Sequence, residues 1–201
     1  MFVQIISGRC TDPAGLQKQN DRWEEELKPG AAGFLGATGG VTPDGTFILA
    51  ARFESEEAAQ KNSDRPEQGQ WWSETEQYLE DATFTNSSDV NEWGPGGGGS
   101  DDAGFVQIMR GRTKDRKKME EVDQQFEDEM AKVRPDVIGA YRIWDTPDSY
   151  TDLIYFTSEA EARVGEKKEM PEHLKKAFEE SMSLVEDIKF YDLPEPWLSS
   201  K

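Results

Sequence analysis

Arginines and indoles carry the widest chemical range in this sequence. Arg9, Arg52, Trp71 and Trp72 stand in its first half, and Arg112, Tyr141, Trp144 and Tyr155 in its second. A guanidinium, an indole N–H or a phenol can stabilise negative charge as it develops, provided the pocket around it excludes water. These residues could therefore bind and orient a substrate on which negative charge develops. A plainer reading competes with this at each position. Trp23, Trp71 and Trp72 can fill a core beneath helices, because aromatic side chains dominate core burial. Arg9 and Arg112 can simply pair with acidic neighbours. Gln4 and Gln107 sit midway along apolar strands and need hydrogen-bond partners if buried. They either line a pocket or fix the register of one sheet on another, and the second role suits two equivalent glutamines better.

Other chemistries find no residues. His173, the single histidine, lies in the charged run Pro171-Glu172-His173-Leu174-Lys175-Lys176 and is expected to face solvent. Cys10 has no neighbouring base and is expected to be an inert small residue. The stretch Gly30-Ala31-Ala32-Gly33-Phe34-Leu35-Gly36 lacks the dinucleotide-binding glycine spacing, and no phosphate-loop lysine follows it. No metal site and no cofactor are expected. The chain of 201 residues carries 41 acidic against 23 basic side chains, a formal net charge of −18. That balance speaks against nucleic acid and against an anionic membrane surface as partners. The N-terminus reads as a strand and not as a signal peptide, and no apolar run reaches the roughly 18 residues of a membrane helix. A cytoplasmic protein with a small-molecule ligand is expected.

The elements that must position these residues occur twice. Phe2-Val3-Gln4-Ile5-Ile6-Ser7-Gly8-Arg9 returns as Phe105-Val106-Gln107-Ile108-Met109-Arg110-Gly111-Arg112, an offset of 103. The same offset aligns Glu24 with Glu127, Gly36-Ala37 with Gly139-Ala140, and Phe53, Ser55, Glu56 and Ala59 with Phe156, Ser158, Glu159 and Ala162. After a short insertion, Glu80-Asp81 and Phe84 match Glu186-Asp187 and Phe190. The acidity is shared, −10 over residues 1–97 and −8 over 98–201, so it is not a tail. Repeat 1 spans 1–90, a glycine-rich coil linker 91–104, and repeat 2 with a C-terminal tail 105–201.

Each repeat reads β-α-β-β-α-β. Asp12 with Pro13, and Asp115, cap the first helices. Met119, Val122, Phe126, Met130 and Val133 keep a helical stripe in repeat 2, and Leu16, Trp23 and Leu27 in repeat 1. The turns Thr42-Pro43-Asp44-Gly45 and Thr146-Pro147-Asp148-Ser149 close hairpins. Ser55 and Ser158 open second helices that Pro66 and Pro171 help to divide. This is the ferredoxin-like split motif, an antiparallel sheet with both helices on one face. With Phe53 and Phe156 toward the helices, Ile48, Ala50 and Arg52 in one repeat and Leu153 and Tyr155 in the other take the opposite face. That face needs a cover, and the sister repeat is the expected one.

The Gly-Arg strand ending, the Pro-Asp hairpin and the aromatic-Ser-x-Glu-x-x-Ala step resemble the dimeric α+β barrel superfamily, in particular its antibiotic-biosynthesis-monooxygenase-like domains. The resemblance implies an α+β fold of two ferredoxin-like domains forming an intramolecular pseudo-dimeric barrel, with room for a further homodimer. It also implies a range of activities: cofactor-independent oxygenation, isomerisation, haem chemistry, or none. Haem degradation in that family uses an Asn-Trp-His set, which a lone His173 does not supply. The expected function is thus a small-molecule-binding barrel, either a cofactor-independent monooxygenase or isomerase of an aromatic or polyketide-like compound, or a non-catalytic binding or stress-response module. Arg9, Arg52, Trp71, Trp72, Gln4, Arg112 and Tyr155 are the expected substrate-binding residues. Gly30, Gly33, Gly36, Gly39 and Gly40 thin the second strand of repeat 1 and are expected to open a pocket there, while Tyr141, Arg142 and Trp144 fill the matching strand of repeat 2. A closed aromatic cavity beside Trp72 would support catalysis, and side chains filling that space would count against it.

Overall fold

The computed structural model describes residues 1–94 and 96–201, without the side chains of 126–128, 130 and 131. Pro95 of the linker, and the side chains of Phe126 and Met130 in the expected stripe, lie outside the described residues. The chain divides into unit 1, residues 1–88 with 196–201, and unit 2, residues 89–195.

Unit 1 runs β1 (Phe2–Cys10), α1 (Pro13–Arg22), β2 (Phe34–Val41), β3 (Thr46–Phe53), α2 (Glu56–Ser63), α3 (Pro66–Thr75) and β4 (Leu79–Ser87). Unit 2 opens with β5 (Val90–Trp93). It continues with β6 (Phe105–Thr113), α4 (Arg116–Val133), β7 (Val137–Trp144), β8 (Ser149–Phe156), α5 (Glu159–Gly165), α6 (Glu172–Leu184) and β9 (Val185–Leu193). A last strand, β10 (Trp197–Ser200), returns to unit 1. The two antiparallel sheets have the orders β10-β2-β3-β1-β4 and β5-β7-β8-β6-β9. Both units are ferredoxin-like, as the repeat reading expects.

Two elements differ from that reading. The segment expected to be coil begins with β5, which pairs Asn91 with Arg142 and Trp93 with Ala140. The expected tail contains β10, which pairs Trp197 with Gly39 and Ser199 with Ala37. Each repeat is thus followed by a strand that completes the other repeat's sheet.

Local chemistry explains the boundaries. The Asp12 carboxylate accepts from the amides of Ala14 and Gly15 at 3.1 Å, with Pro13 in the first turn where a missing N–H costs nothing. Asp115 does the same for Lys118 at 3.0 Å. Ser55 and Ser158 cap α2 and α5. After α1 the chain widens into one π-helical turn, Trp23–Leu27, then tightens over Lys28–Gly30. The wide turn buries Trp23 and Leu27 together and turns Glu25 and Glu26 to solvent.

The Gly-Arg ending has a structural reason in the sheet. Residues 81 and 82 of β4 together oppose Gly8, and 187 and 188 of β9 oppose Gly111. Asp81 and Asp187 take the left-handed conformation at these bulges, φ 53° and 52°, which aspartate tolerates better than most residues. A Cβ on Gly8 would lie 2.9 Å from the Glu80 carbonyl, so only glycine fits opposite the first bulge.

Helix-side cores contain Phe2, Trp23, Leu27, Phe34, Phe53 and Trp71 in unit 1 and Phe105, Val137, Ile154 and Phe156 in unit 2. The alternation places Val3, Ile5, Ile48 and Ala50 on the other face, and they are buried as deeply. So are Val106, Ile108, Leu153 and Tyr155.

Candidate functional site

Where α1 and α3 cross the sheet of unit 1, a small pocket collects most of the aromatic chemistry. Helix α1 gives Leu16 and Asn20, α3 gives Trp71, Trp72 and Thr75, and the sheet gives Ile6, Phe47, Leu49 and Trp197. The indoles are fixed from several sides. Trp71 donates its Nε1 hydrogen to the Gln19 carbonyl at 2.8 Å, and Thr75 donates to the Trp71 carbonyl at 2.7 Å. The Trp72 ring lies 6.2 Å from Trp71 and edge-on to Phe84 at 5.1 Å. Phe84 is itself half exposed, so Trp72 forms the outer wall. Trp197 closes the sheet side, its ring 6.0 Å from Phe47.

The pocket's volume is about 20 Å³, which is room for one water. The expected open pocket is therefore closed here. Glycine does thin the strand, but other side chains use the space. A Cβ on Gly39 would meet the Leu49 side chain at 2.6 Å and the Ile48 carbonyl at 2.5 Å. Trp197 stands directly across from Gly39 on β10. A larger open depression of about 470 Å³ borders Pro29–Phe34. Its lysines, Lys28 and Lys201, are already paired with Glu24 and Glu54.

The same place in unit 2 is filled by charge. Applying the repeat offsets, Arg142 replaces Gly39, Asp152 replaces Leu49, Asp123 replaces Asn20 and Ser181 replaces Thr75. Arg142 donates two parallel bonds to Asp152, both at 2.7 Å, and a third to Asp123. Ser181 donates to the other Asp123 oxygen at 3.2 Å. Asp152 is fully buried. Burial pushes its carboxyl above the usual range, opposed by the Arg142 guanidinium. Burial works against the Arg142 cation too, but the two carboxylates outweigh it and hold the guanidinium above its ordinary pKa. Tyr150 packs against Arg142, and its phenol is pushed up to about 12, chiefly by burial. Arg116 lies 4.2 Å over the Trp144 ring and pairs with Asp89 through two bonds.

The seven expected binding residues do not form one site. Trp71 and Trp72 meet in the unit 1 pocket. Gln4 shares its face with Phe2 and Ile6, and its Nε2 donates to Asn86 at 3.1 Å, while Gln107 donates to Asp192 at 2.8 Å. These bonds fix neighbouring strands of one sheet, not one sheet on another as expected. Arg9 and Arg112 are exposed and pair with Glu80 and Asp148. Arg52 is buried on the face away from the helices and donates to Thr38 at 2.8 Å. Tyr155, its counterpart in unit 2, lies beside Tyr141 and under Gly99, whose Cβ would fall 2.8 Å from the phenol oxygen. His173 is exposed, beside Glu129 at 3.0 Å. Cys10 is buried, and burial raises its thiol pKa, as an inert residue requires. Among the described residues no cluster of His, Cys, Asp and Glu could hold a metal ion, and no helix is long and apolar enough to cross a membrane.

Asn20, Thr75, Trp197 and the Asp123–Arg142–Asp152 triad were not foreseen as a site. One signal was available: a lone Asp in the run Tyr150-Thr151-Asp152-Leu153-Ile154-Tyr155-Phe156 needs a cation, and hairpin register places Arg142 opposite it. For Trp197 the repeat gives no signal.

No family model matches the sequence, and no curated protein matches it. Solved structures do match across both units. A proposed monooxygenase from Fusobacterium nucleatum subsp. nucleatum aligns with TM-score 0.75 at 8% identity, over 100% of this chain and 94% of that one. A proposed monooxygenase from Lactobacillus acidophilus NCFM gives 0.71 at 12% identity, over 99% and 96%. An anthrone oxidase-like protein gives 0.62 at 11% identity, over 99% and 89%. At such identities the likeness is one of fold alone.

Proposed function

We propose that this chain is a small-molecule-binding protein whose binding half is unit 1, with unit 2 serving as a structural partner. The observation that carries the reading is the contrast at one place in the repeat. Unit 1 has an uncharged pocket walled by Trp71, Trp72 and Trp197, with Asn20 and Thr75 as polar groups. Unit 2 has an arginine locked between two carboxylates. Indole walls with a few polar groups suit a flat aromatic compound bearing a hydroxyl or carbonyl. At about 20 Å³ the pocket admits such a compound only after its walls move apart.

Cofactor-independent oxygenation of an aromatic or polyketide-like compound is the second reading, favoured by the names of the fold neighbours, one of them anthrone oxidase-like. It requires a base to form the substrate anion. None of the residues lining the pocket has a titratable side chain in the neutral range, and Asn20 can orient a proton but not remove one. Binding without chemistry is therefore the better-supported reading.

Titration with 1-naphthol and with anthrone, followed by tryptophan fluorescence and an oxygen electrode, tests both. The expected result is saturable quenching that weakens at least about tenfold in Trp72→Ala, a change of roughly 1.4 kcal/mol, with no oxygen uptake. Absence of saturable quenching overturns the binding reading. Oxygen uptake that disappears in Trp72→Ala replaces it with the oxygenase reading.

A further inference from the structure

Trp197 does not belong to the repeat that it serves. It is carried by β10, a four-residue edge strand bonded to β2 alone, and it reaches the pocket across from Gly39. Every other lining residue comes from the continuous body of unit 1. In unit 2 the corresponding strand places Asn91 opposite Arg142, so both the glycine and the indole over it are peculiar to unit 1.

Beyond its four residue pairs with β2, the strand is clasped at Ser199. Ser199 donates to Glu24 at 3.0 Å and accepts from Lys28 at 3.0 Å, while Lys28 also donates to Glu24 at 3.0 Å. Lys201 reaches Glu54 at 3.2 Å. Pro194 and Pro196 precede the strand and can contribute no backbone N–H to any ladder. A short strand paired on one side only opens at lower cost than a core strand. Helices α1 and α3 are pinned by Trp71 to Gln19 and by Trp23 to Gln68, so the sheet side is the weaker wall.

We propose that β10 is the gate of the unit 1 pocket and that Trp197 is the side chain a ligand displaces. This rests on the binding reading of unit 1 and adds the route of entry and the residue that sets which ligands fit. The ligand class is a flat aromatic of indole to naphthol size, because the space vacated is that of an indole.

The test compares wild type, Trp197→Gly and Ser199→Ala by stopped-flow mixing with 1-naphthol, with circular dichroism to check folding. Wild type is expected to bind at a rate that levels off with 1-naphthol concentration, limited by strand opening. In Trp197→Gly the rate should stay linear and exceed wild type at least tenfold. Ser199→Ala, which loosens the clasp without touching the pocket wall, should raise the plateau several-fold, and it serves if Trp197→Gly does not fold. Free indole should raise the melting temperature of Trp197→Gly by more than that of wild type, which must first expel its own indole. Equal association rates in all three proteins overturn the gate while leaving the binding reading intact. Binding by Trp197→Gly alone would report a cavity made by the substitution and overturns both the gate and the binding reading. Failure of all three proteins to bind overturns both.

Discussion

Units 1 and 2 share strand order, caps, bulges and turns, yet at the crossing of the first helix with the sheet they have opposite contents. Unit 1 has Gly39, Leu49, Asn20 and Thr75 around a cavity the size of a water. Unit 2 has Arg142, Asp152, Asp123 and Ser181 in a closed charge network. A duplicated fold holds its architecture with the residues that cap helices and turn strands. Beneath the helices the two units differ, and each interior is filled in its own way. One solution depends on indoles, the other on paired charges.

The strongest way to break this comparison is to remove the cation. Arg142→Met leaves Asp152 buried with no countercharge, and breaking a buried pair in this way costs about 3–5 kcal/mol. Urea unfolding should show that loss, whereas Thr75→Val in unit 1 should cost less than about 1.5 kcal/mol. Similar losses in both would mean that the two interiors do not differ in kind. Next in size, Gly39→Ala should destabilise by about 1–3 kcal/mol through overpacking, since its Cβ meets the Ile48 backbone. A neutral result would show that the strand has slack and that the cavity expands readily. Replacing both partners, Arg142→Met with Asp152→Leu, should recover most of the loss seen in Arg142→Met alone, because paired charges can give way to apolar residues at little net cost.

The smallest effect concerns the turns. Asp44 is held below the usual carboxylate range, first by the Thr42 hydroxyl, and Asp148 first by Arg112. A depressed folded-state pKa adds stability above the unfolded value of about 3.9, and this is lost as pH falls through the lower folded value. The advantage of wild type over Asp44→Asn and over Asp148→Asn should therefore be present at pH 6 and fade below about pH 4. Thermal melts across that range would show it, and a gap that persists at pH 3 would contradict it.

Much of the fold was legible in the sequence because it rests on local chemistry. Asp12-Pro13, Ser55, Ser158 and the Pro-Asp turns each fix an element within four residues, and each has a counterpart in the other repeat. The exchanged strands β5 and β10 were not legible. They are short, follow glycine- or proline-rich stretches, and acquire strand structure only from partners far along the chain. The site was legible in part. Trp71 and Trp72 were found as aromatics near a glycine-rich strand, but period-2 alternation alone could not show that Leu49 and Trp197 occupy the space glycine leaves. Arg52 and Tyr155 were placed on the correct face. Arg9, Arg112, Gln4 and Gln107 were polar residues whose partners lay on the neighbouring strand or in the adjoining turn.

The exchange of β5 and β10 also bears on how the protein emerges from the ribosome. The free edge of β2 cannot be completed until residues 197–200 are translated, long after the rest of unit 1 has left the exit tunnel. Unit 2, in contrast, receives β5 before its own first strand is made. Nascent unit 1 therefore waits with an uncovered edge while unit 2 folds. A gene split between residues 88 and 89 would yield one fragment missing a strand and another carrying a strand with no sheet to join. Mixing the two halves should rebuild the missing pairing, which makes the chain a natural candidate for a split-protein reporter.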